Sequence, residues 1–134
     1  MRIVLDTNVL VSAVLSPAGP PAEILSLVIN EEVMLCYDDR VLNEYRGVLG
    51  RERFGFDGEA VSALVSFLEQ AGERVNATPL DLELPDPDDR VFCEILESAA
   101  ADFLVTGNTR HYHSLGDRRI VTPREFMTRY FGRL

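Results

Sequence analysis

The chain has 134 residues, of which 46% are hydrophobic and 26% are charged, a balance that predicts one folded domain over residues 1–134 and excludes a disordered chain. Its 22 acidic and 13 basic residues give a net charge of −9, which argues against a broad basic face for nucleic acid but suits carboxylates gathered around divalent cations. All 13 basic residues are Arg, so mechanisms that require Lys, such as the P-loop and Schiff-base catalysis, are excluded.

Apolar runs alternate with Pro- and Gly-containing breaks along the first half of the chain. They predict strands at 3–5 and 33–37 and helices at 8–15, from Pro21 onwards, at 39–49 with Asp39 as its cap, and at 59–71. The segment GRERFGFDG between the last two helices is predicted to be a loop or a helix break.

The second half begins with an acidic, proline-bearing segment, TPLDLELPDPDD. A helix from about Asp89 to Ala100, a strand within ADFLVTGN, a short strand at 120–121 and a helix at 123–131 opened by Thr122 follow it. Strands separated by helices pair in parallel and carry the helices on both faces of the sheet. The predicted fold is therefore an α/β sandwich of three layers with a central, mostly parallel sheet.

Carboxylates and an amide fall where ligands of such sheets bind, at the carboxyl ends of strands. Asp6 follows the first strand and Asn108 follows VT of a later one. Asp6 could instead be a helix N-cap, although Thr7 or Asn8 could serve as the cap equally well. Glu44 lies on the flank of its helix, roughly 100° from the centre of the apolar stripe, where it could reach the sheet edge or simply face solvent.

Three acids, Asp86, Asp88 and Asp89, stand where a helix should begin. One Asp satisfies a helix N-terminus, whereas three, with Asp81 and Glu83 upstream, repel one another unless a cation is near. Oxygen ligands of this kind favour Mg²⁺ or Mn²⁺. His111 and His113 do not have the spacing of a zinc site and are predicted to have surface or capping roles.

The N-terminus lacks the features of a secretory signal and no apolar stretch reaches bilayer length, so a cytoplasmic protein without a membrane partner is expected. Cys36 and Cys93 lie in apolar runs and are predicted to be reduced core residues.

Four motifs in order, VLDTNVLVSA, VLNEYRGVL, DPDDRVFCEILESAAADFLVTGN and IVTPREF, resemble those of PIN-domain proteins. Among these, the chain is most similar to small bacterial and archaeal proteins described as nuclease toxins of toxin–antitoxin pairs. The resemblance implies Asp6, Glu44 and Asp89 as catalytic and metal-binding acids, with Asp89 preferred over Asp88 because it opens the helix in the register of DRVFCEIL. It also implies Asn8 as a polar residue oriented toward the site.

The chain departs from the family pattern at the fourth acid. TGN places Asn108 where many members have Asp in TxD, and the alternative pattern TxNxxDF would align an Asp with His111, so a second metal ion is in doubt. Thr106, Asn108 and Arg110 are the remaining candidates for contacts to substrate or to the metal-binding residues, although Arg110 could equally be an exposed loop charge.

The resemblance implies a Mg²⁺- or Mn²⁺-dependent endoribonuclease that leaves a 5′-phosphate and a 3′-hydroxyl, with RNA as substrate, an antitoxin as protein partner and a homodimer as assembly. One alternative is a PIN-fold RNA- or protein-binding module with weak catalysis, favoured by the missing fourth acid. Another is a metal-dependent phosphohydrolase, weakened because DTN lacks the second Asp of DxD.

Overall fold

The computed structural model describes residues 1–132 and contains a five-stranded sheet. The strands are β1 (Arg2–Leu5), β2 (Met34–Tyr37), β3 (Glu73–Arg74), β4 (Phe103–Val105) and β5 (Ile120–Val121). Their spatial order is β3-β2-β1-β4-β5, and every neighbouring pair is parallel. The predicted three-layer α/β/α fold is confirmed, with a sheet that is entirely parallel over the described residues.

Helices connect the strands and cover the sheet. They are α1 (Thr7–Leu15), α2 (Pro20–Ile29), α3 (Asp39–Leu49), α4 (Gly58–Ala71), α5 (Arg90–Ala99) and α6 (Pro123–Gly132), with 3₁₀ turns at Glu52–Phe54, Pro87–Asp89 and Thr109–Leu115. The predicted bounds of the helices lie within one residue of these. At the start of α6 the Thr122 hydroxyl accepts from the Glu125 N–H, and the Glu125 carboxylate accepts from the Thr122 N–H, as a capping box does.

Two predictions about local structure were wrong. Asp39 is the first residue of α3, and the cap is Asp38, whose carboxylate accepts from the Val41 N–H at 3.1 Å. The strand β3 was missed because its two residues, Glu73 and Arg74, are polar and form a strand only by pairing with β2. Both errors concern single-residue register or tertiary pairing, which local pattern specifies weakly.

The core consists of the strands and the inward faces of the helices. Cys36 and Cys93 are both buried free thiols in it, as predicted. Tyr45 of α3 is fully buried, and its hydroxyl donates to the Leu5 carbonyl at the end of β1, 2.7 Å away. This bond fixes α3 against the carboxyl end of β1, so Glu44, its neighbour in sequence, is held near the same sheet edge.

Neither α1 nor α2 is long and apolar enough to span a bilayer alone, and no other single helix within 1–132 is either. The two satisfy length and composition only as a pair, with a bend of 99° between them. Both contribute fully buried side chains to the core, Leu10 from α1 and Ile24 from α2.

The order of the strands reverses between β1 and β4. From β1 the chain proceeds to β2 and β3 on one side, whereas β4 and β5 extend the sheet on the other. In open parallel sheets a crevice forms outside the carboxyl ends of the strands at such a reversal, and ligands bind there. The carboxyl ends of β1 and β4 therefore mark the expected location of a site.

Candidate active site

A cavity of about 470 Å³ opens at the carboxyl ends of β1 and β4. Asp6, Glu44, Asp89 and Asn108 all line it, although they come from four separate parts of the chain. The structure therefore brings the three predicted acids and the residue at the fourth-acid position to one surface.

Asp6 occupies the N-cap position of α1, but its side chain makes no capping hydrogen bond. One carboxylate oxygen, Oδ2, instead accepts from the Thr106 hydroxyl at 2.9 Å and from the Tyr112 hydroxyl at 3.0 Å. Only 6% of the residue is exposed. Asp6 is thus an oriented, nearly buried acid held from the β4 side of the cavity by two hydroxyl contacts that a helix cap does not require.

Glu44 lies on the flank of α3, as its helical position predicted, and is half-buried. The Thr7 hydroxyl donates a hydrogen bond to its Oε2. Because Thr7 directly follows Asp6, this bond directs the Glu44 carboxylate toward the residue that begins α1. The bond is a positioning contact that the sequence did not reveal, since it joins two different helices.

Asp89 ends the 3₁₀ turn before α5 and is buried, with 7% of the residue exposed. His111 Nδ1 lies 3.1 Å from its Oδ2. The His111 side chain is 40% exposed, in keeping with the predicted surface position, but it also lines the cavity and contacts Asp89, which the sequence did not indicate. The 3₁₀ turn at 109–115 brings it there, and sequence spacing alone did not indicate that contact.

The acids of the cavity influence one another electrostatically. Burial raises the pKa of Asp6 above its usual value despite the hydrogen bonds from Thr106 and Tyr112, which lower it. Burial also raises the pKa of Glu44, and the negative charges of Asp6 and Asp88 add to that shift. The pKa of Asp89 is likewise raised by burial and then by the charge of Asp6, against the opposing contact with His111. A cation in the cavity would relieve this repulsion.

The acidic segment before α5 divides into different roles. The Asp86 side chain caps the 3₁₀ turn by accepting from the Asp88 N–H at 3.0 Å. Both residues also line the cavity, whereas Asp81 and Glu83 are exposed and are not among its lining residues. Helix capping could have explained the presence of all three acids, but Asp86 is the one that caps the turn. The Asp89 side chain makes no capping hydrogen bond to α5.

The TGN turn after β4 closes one side of the cavity. The Thr106 hydroxyl accepts from the Asn108 N–H at 3.1 Å while donating to Asp6. The Gly107 N–H donates to Asn8 Oδ1 at 3.0 Å, and a Cβ at Gly107 would lie 3.3 Å from that oxygen. Asn8 and Thr106 thus tie the turn to the start of α1 and hold Asn108 at the cavity wall.

Arg110 is exposed and is not among the residues that line the cavity. Two other arginines, Arg51 and Arg53, do line it, and no sequence motif singled them out. Their position follows from the packing of α3 and the turn after it, for which the sequence offered only a predicted loop.

A divalent cation can be tested against the donor set. Asp6, Glu44 and Asp89 offer only carboxylate oxygens, and Asn108 could add an amide oxygen. No group of three or more His, Cys, Asp and Glu within 1–132 is arranged to enclose a metal ion. The chemistry of the donors, which are all oxygen atoms, is therefore what fits a hard divalent cation such as Mg²⁺, which usually takes one or two carboxylates and keeps several waters.

Replacing Asn108 by Asp tests the role of the fourth position. Its side-chain amide has no hydrogen-bond partner among the described residues, so the change is expected to remove no structural contact. Another carboxylate at the cavity wall should tighten Mn²⁺ binding several-fold or raise activity, while lowering metal-free stability through repulsion.

Calorimetric titration of Mn²⁺ measures the change, with Asn43→Asp as a matched control on an exposed site of α3 outside the cavity lining. If Asn108→Asp leaves the Mn²⁺ affinity unchanged, position 108 is not part of the cation-binding site.

Comparison with known proteins gives a single kind of match. A family model described as PIN domain matches residues 2–110, which include β1 and the segments that carry all the acids of the cavity. No curated protein and no solved structure matches the chain. Because the matched span exceeds half of the 134 residues, the chain belongs to the PIN-domain family, whose members are typically nucleases and generally use divalent metal ions.

Proposed function

We propose that this protein is an endoribonuclease that hydrolyses phosphodiester bonds of RNA with Mg²⁺ or Mn²⁺ as cofactor. The observation that carries the proposal is the convergence of Asp6, Glu44 and Asp89 on one cavity at the reversal of strand order, each with a raised pKa. Paired or grouped carboxylates with perturbed pKa values in a cleft are typical of catalytic sites.

In this proposal Asp6, Glu44 and Asp89 would hold the cation through their carboxylate oxygens. The chemistry supplied by such a cation would be the polarisation of a phosphoryl oxygen and a lowered pKa of water. The hydroxyls of Thr106 and Tyr112 hold the Asp6 carboxylate in its orientation.

Around that group, the Thr7 hydroxyl directs Glu44, and His111 holds Asp89. Asn8, on α1, and Asn108, in the turn after β4, would contact substrate or water in the cavity. Arg110 remains a proposed phosphate contact outside the cavity lining.

The biological setting we propose is that of a toxin in a bacterial or archaeal toxin–antitoxin pair, acting in the cytoplasm as a homodimer. The four motifs shared with such proteins support it, and the net charge of −9 suits a basic segment of an antitoxin. A neighbouring reading frame for a short DNA-binding protein whose co-expression relieves growth arrest would support this role. Light scattering measures the oligomeric state.

A second candidate is a PIN-fold module that binds RNA or a protein with little catalysis. The amide of Asn108 at the fourth-acid position favours it, because an amide adds no charge to hold a second cation. The two candidates differ in whether RNA is cleaved in the presence of metal and left intact without it.

The proposal predicts that cleavage of single-stranded RNA requires Mg²⁺ or Mn²⁺, because the cavity offers hard oxygen ligands and no Lys or paired nucleophile for a metal-free route. Denaturing gels of a labelled unstructured RNA, with either metal and then with EDTA, measure it. Activity should disappear in EDTA and return when Mg²⁺ is added in excess of the chelator.

Cleavage that persists undiminished in EDTA would overturn the mechanism. RNA binding without cleavage under every metal condition would favour the binding module.

A further inference from the structure

The arginine side chains of this protein differ in whether they have an acidic partner. Those that contact a carboxylate within 4.0 Å are Arg2, Arg40, Arg46, Arg74 and Arg119. The other arginines within 1–132 have no such partner, and among these Arg51 and Arg53 line the cavity that also contains five acids. Two uncompensated cations therefore stand at the edge of an otherwise negative cavity.

Arg53 is held in place without losing its charge. Its guanidinium carbon lies 4.8 Å from the centroid of the Phe54 ring, and Phe54 stacks on Phe56 with centroids 5.5 Å apart. Both rings are half-buried and pack against the core. A cation–π contact orients a guanidinium but leaves its N–H groups and its charge available to an anion.

The distance from the acids suits a chain-like ligand. Glu44 lies on α3, and Arg51 follows the C-cap residue Gly50, seven positions further along the chain. At a rise of about 1.5 Å per residue, this corresponds to about 10 Å. A backbone separation of this size, with acids and arginines along one cavity wall, suits successive phosphates of an extended strand.

We propose that Arg51 and Arg53 bind the phosphates of single-stranded RNA beside the phosphodiester that is cleaved. This inference rests on the proposed ribonuclease function and adds to it the residues that position the strand. A chain of net charge −9 repels a polyanion, so a local pair of cations at the cavity rim is needed to direct the strand across the acids. Arg suits phosphate because its planar fork donates two parallel hydrogen bonds.

The test measures binding separately from cleavage. The variants Arg51→Gln and Arg53→Gln are combined in a protein that also carries Asp6→Asn, so that a fluorescein-labelled oligouridylate stays intact. Anisotropy titrations over a range of KCl concentrations give the slope of log K against log salt. Because each phosphate contact on a single strand contributes about −0.7, losing two should make the slope less negative by about 1.4.

The matched control is Arg118→Gln with Arg124→Gln in the same background. Both are exposed arginines outside the cavity lining, and the pair removes the same total charge. Its slope should stay within a few tenths of the parent value, whereas Arg51→Lys with Arg53→Lys should keep most of the slope because the charge remains. Equal losses in the control and in the Gln pair would overturn the proposal, since the effect would then reflect net charge alone.

A cleavage assay with Asp6 intact gives a second readout. Contacts to flanking phosphates persist from the bound substrate to the transition state, so the Arg51→Gln and Arg53→Gln pair should raise KM roughly tenfold with kcat little changed. Competition by polyglutamate tests an acidic protein as the ligand instead. If polyglutamate displaces the RNA and its own binding weakens in the Arg51→Gln and Arg53→Gln pair as much as RNA binding does, an RNA strand is not the specific occupant. If the wild type cleaves RNA and the pair behaves as wild type, this inference alone fails; if no RNA is bound or cleaved at all, the proposed function fails.

Discussion

Replacing Asp6 by Asn is expected to abolish most nuclease activity while leaving the metal-free protein as stable as the wild type or more stable. Asp6 is a nearly buried acid whose pKa is raised, so the folded protein carries the cost of its charge when no cation is present. An Asn side chain can still accept from Thr106 and Tyr112 through its oxygen. The loss of activity should be roughly a hundredfold to a thousandfold, as when one preorganised group is removed from an active site.

The same substitution should also remove most of the stabilisation that metal binding gives to the folded protein. Metal that binds only the native state stabilises the wild type by RT ln(1 + [L]/Kd), which is about 2.7 kcal/mol at a hundredfold excess over Kd. Because Asp6 is nearly buried and its charge raises the pKa of both Glu44 and Asp89, its neutralisation should remove most of that gain. Thermal melts of both proteins with and without Mn²⁺ measure the difference.

The pH dependence of the metal-free protein follows from the raised pKa values of Asp6, Glu44 and Asp89. In the folded state these acids keep their protons to a higher pH than in the unfolded state, whose values are about 4. The unfolding free energy should therefore fall as pH rises from about 4 through the folded pKa values. This fall should be shallower in Asp6→Asn, and saturating Mn²⁺ should reduce it in the wild type.

Asp81→Asn is the control, since it removes one exposed carboxylate outside the cavity lining and should change neither the metal shift nor the activity. A modest loss of metal-free stability in Asp6→Asn, with the Mn²⁺ shift intact, would instead identify Asp6 as a structural cap. The nuclease proposal would then lose its central residue.

The sequence predicted those parts of the fold and site that depend on local pattern. Apolar runs and prolines set the helix bounds to within one residue, and the order of strand, acid and helix was enough to place Asp6 at the sheet edge. Glu44 could be assigned to the flank of α3 because a helix has a fixed angle per residue. Each of these inferences uses only residues that are close together in the chain.

Contacts between distant segments could not be predicted in the same way. Tyr112 reaches Asp6 across 106 positions of sequence, and Thr7 reaches Glu44 across 37. His111 was predicted to be a surface or capping residue and its side chain is partly exposed, but its contact with Asp89, made through a 3₁₀ turn, was not predicted. The composition of a segment predicts that it forms a loop, but the contacts of its side chains depend on how that loop packs against distant parts of the chain.

Replacing Thr106 by Val is expected to destabilise the protein by about 1 to 3 kcal/mol, because a buried hydroxyl that makes two hydrogen bonds is lost with little change in shape. Thr106 is fully buried, donates to Asp6 at 2.9 Å and accepts from the Asn108 N–H at 3.1 Å. Without this hydroxyl the turn that carries Asn108 loses its tie to Asp6. Chemical denaturation of the metal-free protein measures the change.

The same change should alter the pH dependence of cleavage. The Thr106 hydrogen bond lowers the pKa of Asp6 against the effect of burial, so its loss should raise that pKa further and shift the acidic limb of kcat/KM to higher pH. Thr106→Ser is the matched control, because it removes a methyl group, worth about 0.8 kcal/mol, but keeps the hydroxyl. If both variants kept the wild-type acidic limb, the Asp6 carboxylate would not set it, and the contact with Thr106 would serve the fold alone.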